Sequence, residues 1–151
     1  MKTILLTASS GGHYEQLMVL KKNLKDRYNI YVLTEKTKYS KEEDKTFYVR
    51  QLNRKSLLFP FKFFINHLKV RKIVKKIKPD AVISTGALAT ISPCKIAHKR
   101  GIKVIFIESY AKIDSPTMTG KYIHKFADHF IVQWENMKKV YPDAKYFGGI
   151  Y

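Results

Sequence analysis

Acidic residues are scarce in this chain: 12 Asp and Glu stand against 29 Lys and Arg, a formal net charge of +17. A mixed soluble surface of this size carries far less. The imbalance calls for an anionic partner, and nucleic acid, an anionic membrane face and a phosphorylated substrate all satisfy it. Cysteine is nearly absent. Cys94 alone excludes an internal disulfide framework and a multi-cysteine metal site, so a reducing, cytoplasmic location is expected. Long apolar runs are missing too, none approaching the roughly 18 residues that span a bilayer, and membrane contact is expected to be peripheral. Even Ile4-Leu5-Leu6 is too short for the apolar region of a signal peptide and reads as a buried first strand. There is no G-x-G-x-x-G and no Walker lysine, which weighs against a nicotinamide or nucleoside-triphosphate site; no cofactor and no metal are expected.

What is present is alternation. Ile4–Leu6, Ile30–Leu33, Ala81–Ile83, Val104–Ile107 and Phe130–Val132 are short, mostly β-branched runs of the kind found in parallel strands buried on both faces. Helix-length segments lie between them: His13 to Leu24, Phe59 to Lys78, Ser92 to Lys99 and Gly120 to Ala127. Thr46 to Leu52 and Tyr146-Phe147 are candidates for two further strands, and Thr34 to Lys45 reads as a polar loop or short solvated helix. The pattern predicts one Rossmann-like α/β domain over residues 1–151, a doubly wound parallel sheet with ligands beyond the carboxyl ends of the strands.

Three places at that edge carry chemistry. Ser9-Ser10-Gly11-Gly12-His13 joins the first strand to the first helix, where free amides and a positive helix end favour phosphate oxygens. His13 adds a donor, an acid or a base, or else simply caps the helix. Ser84-Thr85-Gly86 repeats the theme after the third core strand, as a second phosphate- or sugar-binding turn or as plain turn chemistry. Glu108 follows Ile107 directly, and the residues leave open whether it is a base or an acceptor for loop amides. Between His13 and Glu108 as the catalytic base the sequence does not choose.

From Asp44 to Asp80 no acid intervenes, while Arg50, Arg54, Lys55, Lys62, Lys69, Arg71, Lys72, Lys75, Lys76 and Lys78 are all cationic. Val70, Ile73, Val74 and Ile77 have the spacing of a helix packed on a core. The preceding turns, with Phe59, Phe61, Phe63 and Phe64, are apolar on several sides. That combination fits docking into an anionic bilayer interface through Phe59, Phe61, Phe63 and Phe64 with Lys62, Lys69, Arg71 and Lys72. The competing reading is a core or subunit-interface cluster beside a solvated lysine face. A nucleic-acid platform interleaves its aromatics with Arg and Gly, which these do not, so no nucleic-acid partner is expected.

Taken together, the glycine loop, Ser84-Thr85-Gly86, Ile107-Glu108-Ser109, Met118-Thr119-Gly120-Lys121, Ala127 to Trp134, Tyr141-Pro142 and Tyr146-Phe147-Gly148-Gly149 resemble one family over essentially the whole chain. It is the acceptor-side subunit of the two-component UDP-N-acetylglucosamine transferase of asparagine-linked glycosylation, with bacterial capsule and exopolysaccharide relatives of the PssD and EpsE type. The resemblance implies the N-terminal half of a MurG-like GT-B glycosyltransferase, with a separate small partner binding the UDP-sugar. It implies a polyprenyl-diphosphate-linked saccharide as acceptor, its diphosphate on Ser9, Ser10, Gly11 and Gly12 beside Ser84, Thr85 and Gly86. It also implies activity only in the pair, on the inner face of the cell membrane, and a partner surface made by Gln133, Trp134, Phe147, Ile150 and Tyr151. Eukaryotic relatives carry an N-terminal membrane helix where here a strand is expected, which favours a bacterial type held by its basic, phenylalanine-rich segment. A self-sufficient enzyme on a phosphorylated substrate and a basic nucleic-acid module are the rival readings.

Overall fold

The computed structural model describes residues 1–151. Seven parallel strands form one sheet: β1 (Thr3–Ala8), β2 (Asn29–Glu35), β3 (Thr46–Val49), β4 (Ala81–Ser84), β5 (Lys103–Ile107), β6 (His129–Val132) and β7 (Lys145–Tyr146), in the order β3-β2-β1-β4-β5-β6-β7. Four helices connect them: α1 (Gly12–Leu24), α2 (Phe59–Ile77), α3 (Ile91–Lys99) and α4 (Met118–His124). The expected Rossmann-like doubly wound architecture is therefore present, and both candidate extra strands exist at its two edges. Leu88–Thr90 and Glu135–Lys139 are 3-10 turns, and α4 begins and ends earlier than its expected span.

Alternation along β1 divides the core. Leu5 faces one side, with α2 (Val70, Ile73, Val74), α3 (Cys94, Ile96, Ala97) and α4 (Ile123) packed over it. Ile4, Leu6 and Ala8 face the other, where α1 is the only helix, contributing Leu17. Ile105 of β5 and Ile131 of β6, on that second face, are left half-buried. The burial of strands on both sides explains their continuous apolar runs.

Helix α2 ends at Lys78 in the left-handed conformation (φ 50°), and Pro60 sits in its first turn, where a missing N–H costs nothing. Charge pairing is sparse. The ion pairs are Lys21–Glu43, Lys103–Asp128 and His124–Asp143, so most cations face solvent unpaired.

Candidate functional site

The glycine loop leaves β1 and enters α1 at the carboxyl edge of the sheet. Gly11 turns the chain with φ 83°, and no side chain caps the helix, so His13 is not a cap. The Ser9 amide donates to Gly86 O at 3.0 Å, and the amides of Gly11, Gly12 and His13 have no protein acceptor. His13 donates from Nδ1 to the Thr85 carbonyl at 2.7 Å. A carbonyl only accepts, so the proton is fixed on Nδ1 and Nε2 is the basic nitrogen. In return Thr85 Oγ1 donates to His13 O at 2.7 Å. Gly86 (φ +96°) must lack a side chain, because a Cβ there would stand 3.2 Å from the imidazole. His13 lines a cleft of about 240 Å³ with Gly12, Gln16, Ser109, Tyr110 and Tyr151.

The serines and Thr85 build this cradle rather than line it. Ser84 and Thr85 are fully buried, Ser84 Oγ accepting from the Gly86 amide and Ser9 Oγ from the Ala89 amide. Ser10 is engaged by a residue the sequence reading missed. Buried Glu35, at the end of β2, accepts from the Ser10 amide (3.4 Å), the Ser10 hydroxyl (3.2 Å) and the Leu52 amide (3.3 Å). Its signal was the one that marked Glu108: a carboxylate closing an apolar run. Beyond it lies a cleft of about 440 Å³ lined by Glu15, Glu35 and Glu43 together with Tyr14, Tyr39 and Tyr48. An anion held at the loop is thus limited to the Gly11–His13 amides.

Glu108 is 1% exposed and lines none of these clefts. Its carboxylate accepts from the Ser109 amide (2.9 Å), the Thr117 amide (3.1 Å), the Thr117 hydroxyl (2.8 Å) and the Tyr141 hydroxyl (3.1 Å). Thr117 also caps α4, accepting from the Gly120 amide at 2.8 Å. Burial, and then the Glu108 charge, push the Tyr141 phenol well above its ordinary range. Of the two candidate bases, the structure exposes His13 to a cleft and encloses Glu108 in donors.

Gln133 is buried, not displayed. It donates to Glu108 O (2.9 Å) and Gln16 Oε1 (3.0 Å) and accepts from the Ile150 amide (3.0 Å), tying the tail to α1 and β5. Trp134 donates to Tyr110 O at 2.7 Å and packs at a tilt on that ring, against which Tyr151 stands edge-on. Ile150 packs on the α1 face of the sheet, while Phe147 and Tyr151 are exposed.

At the start of α2 the phenylalanines divide. Phe59 and Phe63 are half-buried and pack on each other, Phe63 also stacking on His67. Leu57 (99% exposed), Leu58, Phe61 (61%), Phe64 (59%) and Leu68 form the outward apolar surface. An open groove of about 500 Å³ runs from Leu52, Asn53 and Arg54 past Leu88 to Lys112 and Met118. No helix is long and apolar enough to cross a membrane.

Comparison with known proteins agrees with this fold. In sequence, the chain is 24% identical to the human UDP-N-acetylglucosamine transferase subunit ALG14, over 98% of this chain and 82% of that protein. It is 30% identical to the UDP-N-acetylglucosamine--N-acetylmuramyl-(pentapeptide) pyrophosphoryl-undecaprenol N-acetylglucosamine transferase of Christiangramia forsetii, over 96% of this chain but only 43% of that one. In structure, it resembles the N-terminal half of Acinetobacter baumannii MurG, with a TM-score of 0.76 at 19% identity, covering 90% of this chain and 43% of the MurG chain. The UDP-N-acetylglucosamine 2-epimerase of Rickettsia bellii shares the fold at a TM-score of 0.77 and 14% identity, covering 99% of this chain and 45% of that one. Residues 50–150 match the family described as oligosaccharide biosynthesis protein Alg14 like, and the chain belongs to that family.

Proposed function

We propose that this chain is the acceptor-binding, membrane-associating subunit of a two-component glycosyltransferase. In this reading it positions a polyprenyl-diphosphate-linked saccharide while a second subunit supplies the UDP-sugar. One observation carries the reading: three unpartnered amides, Gly11, Gly12 and His13, open beside an imidazole whose Nδ1–H is pinned to Thr85 O, which leaves Nε2 as the nitrogen able to take a proton. The amides take the diphosphate, with Gly86 leaving room for the His13 ring beside them. The acceptor hydroxyl attacks the anomeric carbon of the donor sugar, its proton passes to His13 Nε2, and the UDP leaves on the partner's side. Glu108 holds Thr117, Tyr141 and the start of α4 in place and keeps a structural role.

The acceptor's lipid reaches this point from the membrane. Leu57, Leu58, Phe61 and Phe64 enter the interface, and the groove with Arg54 and Lys112 leads from there to the strand ends. The relatives support the substrate class: one is named as a UDP-N-acetylglucosamine transferase subunit and the other as a transferase to a pyrophosphoryl-undecaprenol acceptor. We place the product in capsular or exopolysaccharide assembly. The partner's surface on this chain comprises Trp134, Phe147, Ile150 and Tyr151 with the thinly covered Ile105 and Ile131; Gln133 supports it from beneath.

Titration of the chain with inorganic pyrophosphate, followed by amide NMR, tests the cradle. The Gly11, Gly12 and His13 amides are expected to shift together. Shifts confined to other basic surfaces would remove the cradle from the account.

A further inference from the structure

We propose that the groove between α2 and α3 is a binding site for the phosphate of an anionic lipid headgroup. The inference rests on the membrane-docking reading and gives it a second contact, on a different helix.

The groove, about 300 Å³, is lined by His67 and Arg71 of α2 and by Ile96, Lys99 and Arg100 at the end of α3. Arg71, Lys99 and Arg100 are exposed, and none has a carboxylate within ion-pair distance. Two cations at the end of α3 are explained by the helix dipole alone. Arg71 is not, since it reaches the same cleft from mid-α2. His67 records the resulting field: burial lowers its pKa, and the charges of Lys99 and Arg71 lower it further. Its Nδ1 lies 3.1 Å from Ser92 Oγ, which fixes the ring in the wall of the groove. Converging cations without acids, around a cleft of this size, present the fork and point charges that phosphate accepts.

Position selects a lipid as the source of that phosphate. Phe61, Phe64 and Leu68 are spaced along the outer face of α2, and Arg71 follows on the same side. Seven residues of helix, about 10 Å at 1.5 Å per residue, separate Phe64 from Arg71. An amphipathic surface buries its apolar side by roughly 5–10 Å, so with Phe61 and Phe64 inserted the groove stands at headgroup level. Helix α2 then meets the bilayer by its N-terminal end, inclined, and α3 touches the headgroups through its last turn.

The discriminating residues are Lys99 and Arg100, which α2 docking by itself does not require. Binding of the full chain to equimolar phosphatidylcholine–phosphatidylglycerol vesicles is compared with binding to phosphatidylcholine alone. Lys99→Gln with Arg100→Gln should weaken binding to the anionic vesicles by about five-fold per cation removed and leave the weak binding to neutral vesicles unchanged. Lys138→Gln with Lys139→Gln, the same charge loss after β6, should have a much smaller effect. Glycerol 3-phosphate should move the ring NMR signals of His67 in the native chain and not in the Lys99→Gln, Arg100→Gln variant.

Equal weakening by both double variants would reduce the groove to bulk charge and overturn the proposal. Saturation of the His67 response by free inorganic phosphate, without any preference for anionic vesicles, would assign the site to a soluble anion. Salt-sensitive RNA binding lost in the same variant, with vesicle binding intact, would overturn it as well. Failure of the docking reading looks different: the native chain would ignore both kinds of vesicle, and Phe61→Ser with Phe64→Ser would change nothing.

Discussion

Gly120 lies where a single added methyl group would run into the carboxylate of Glu108. The contact explains why the start of α4 carries glycine at a helical position, a choice that otherwise weakens a helix. Gly120→Ala is expected to destabilise the chain by about 1–3 kcal/mol. Glu108→Gln turns an amide N–H₂ toward the Ser109, Thr117 and Tyr141 donors and is expected to cost about 3 kcal/mol. Chemical denaturation measures both. A Glu108→Gln chain of native stability that has lost transfer activity would restore Glu108 as a catalytic base.

Tyr141 and Cys94 give the chain an alkaline limit. Burial pushes the Cys94 thiol up to about 12, and Tyr141 is raised from 10.0 by burial and by Glu108. In both cases the folded value exceeds the unfolded one, so the stabilisation is complete below the unfolded pKa and is lost as pH rises through the folded one. Denaturation midpoints should hold to about pH 9 and then fall, as the unfolded thiol and then the phenol ionise. Tyr141→Phe should be less stable than the native chain at neutral pH and should close the gap above pH 10. A gap that stays constant with pH would show that Tyr141 does not titrate with unfolding.

The division among the phenylalanines yields opposite outcomes for two similar substitutions. Phe61→Ser with Phe64→Ser removes exposed side chains and is expected to lower vesicle binding at least tenfold with little change in stability. Phe59→Ser with Phe63→Ser removes a half-buried pair and should lower stability by about 2 kcal/mol or more. Vesicle partitioning and thermal unfolding, measured on both variants, separate the two.

His13→Ala should lower transfer by the reconstituted pair on the order of a hundredfold or more without weakening pair formation. His13→Gln keeps a donor toward Thr85 O but no base, and should be nearly as slow. Steady-state rates beside a binding isotherm for the partner decide this. A variant that transfers at the native rate would remove His13 from the chemistry.

The strands were legible because a parallel sheet covered on both faces leaves continuous apolar runs such as Val104–Ile107, and the turns because Gly11 and Gly86 hold a positive φ that glycine favours, Gly86 also standing close against the His13 ring. Partners distant in sequence were not legible. Nothing local says that Glu35 spends its charge on Ser10 and Leu52, or that Tyr141 and Thr117 close over Glu108. The same limit applied to α2, where composition marked an apolar end but only packing showed that Phe59 and Phe63 turn inward. The resemblance placed Gln133, at the end of the last long strand, on the partner surface, yet its amide is consumed by Gln16, Glu108 and Ile150.

The central claim is that this chain presents the acceptor and a second subunit presents the donor. The direct measurement is sugar transfer from a UDP-sugar to a polyprenyl-diphosphate-linked saccharide, with the chain alone, the candidate donor-binding subunit alone, and the two together on anionic vesicles. The expected result is transfer by the pair only, lost when His13 is replaced. Equal transfer by this chain alone, or a pair that forms but never uses a diphosphate-linked acceptor, would contradict it.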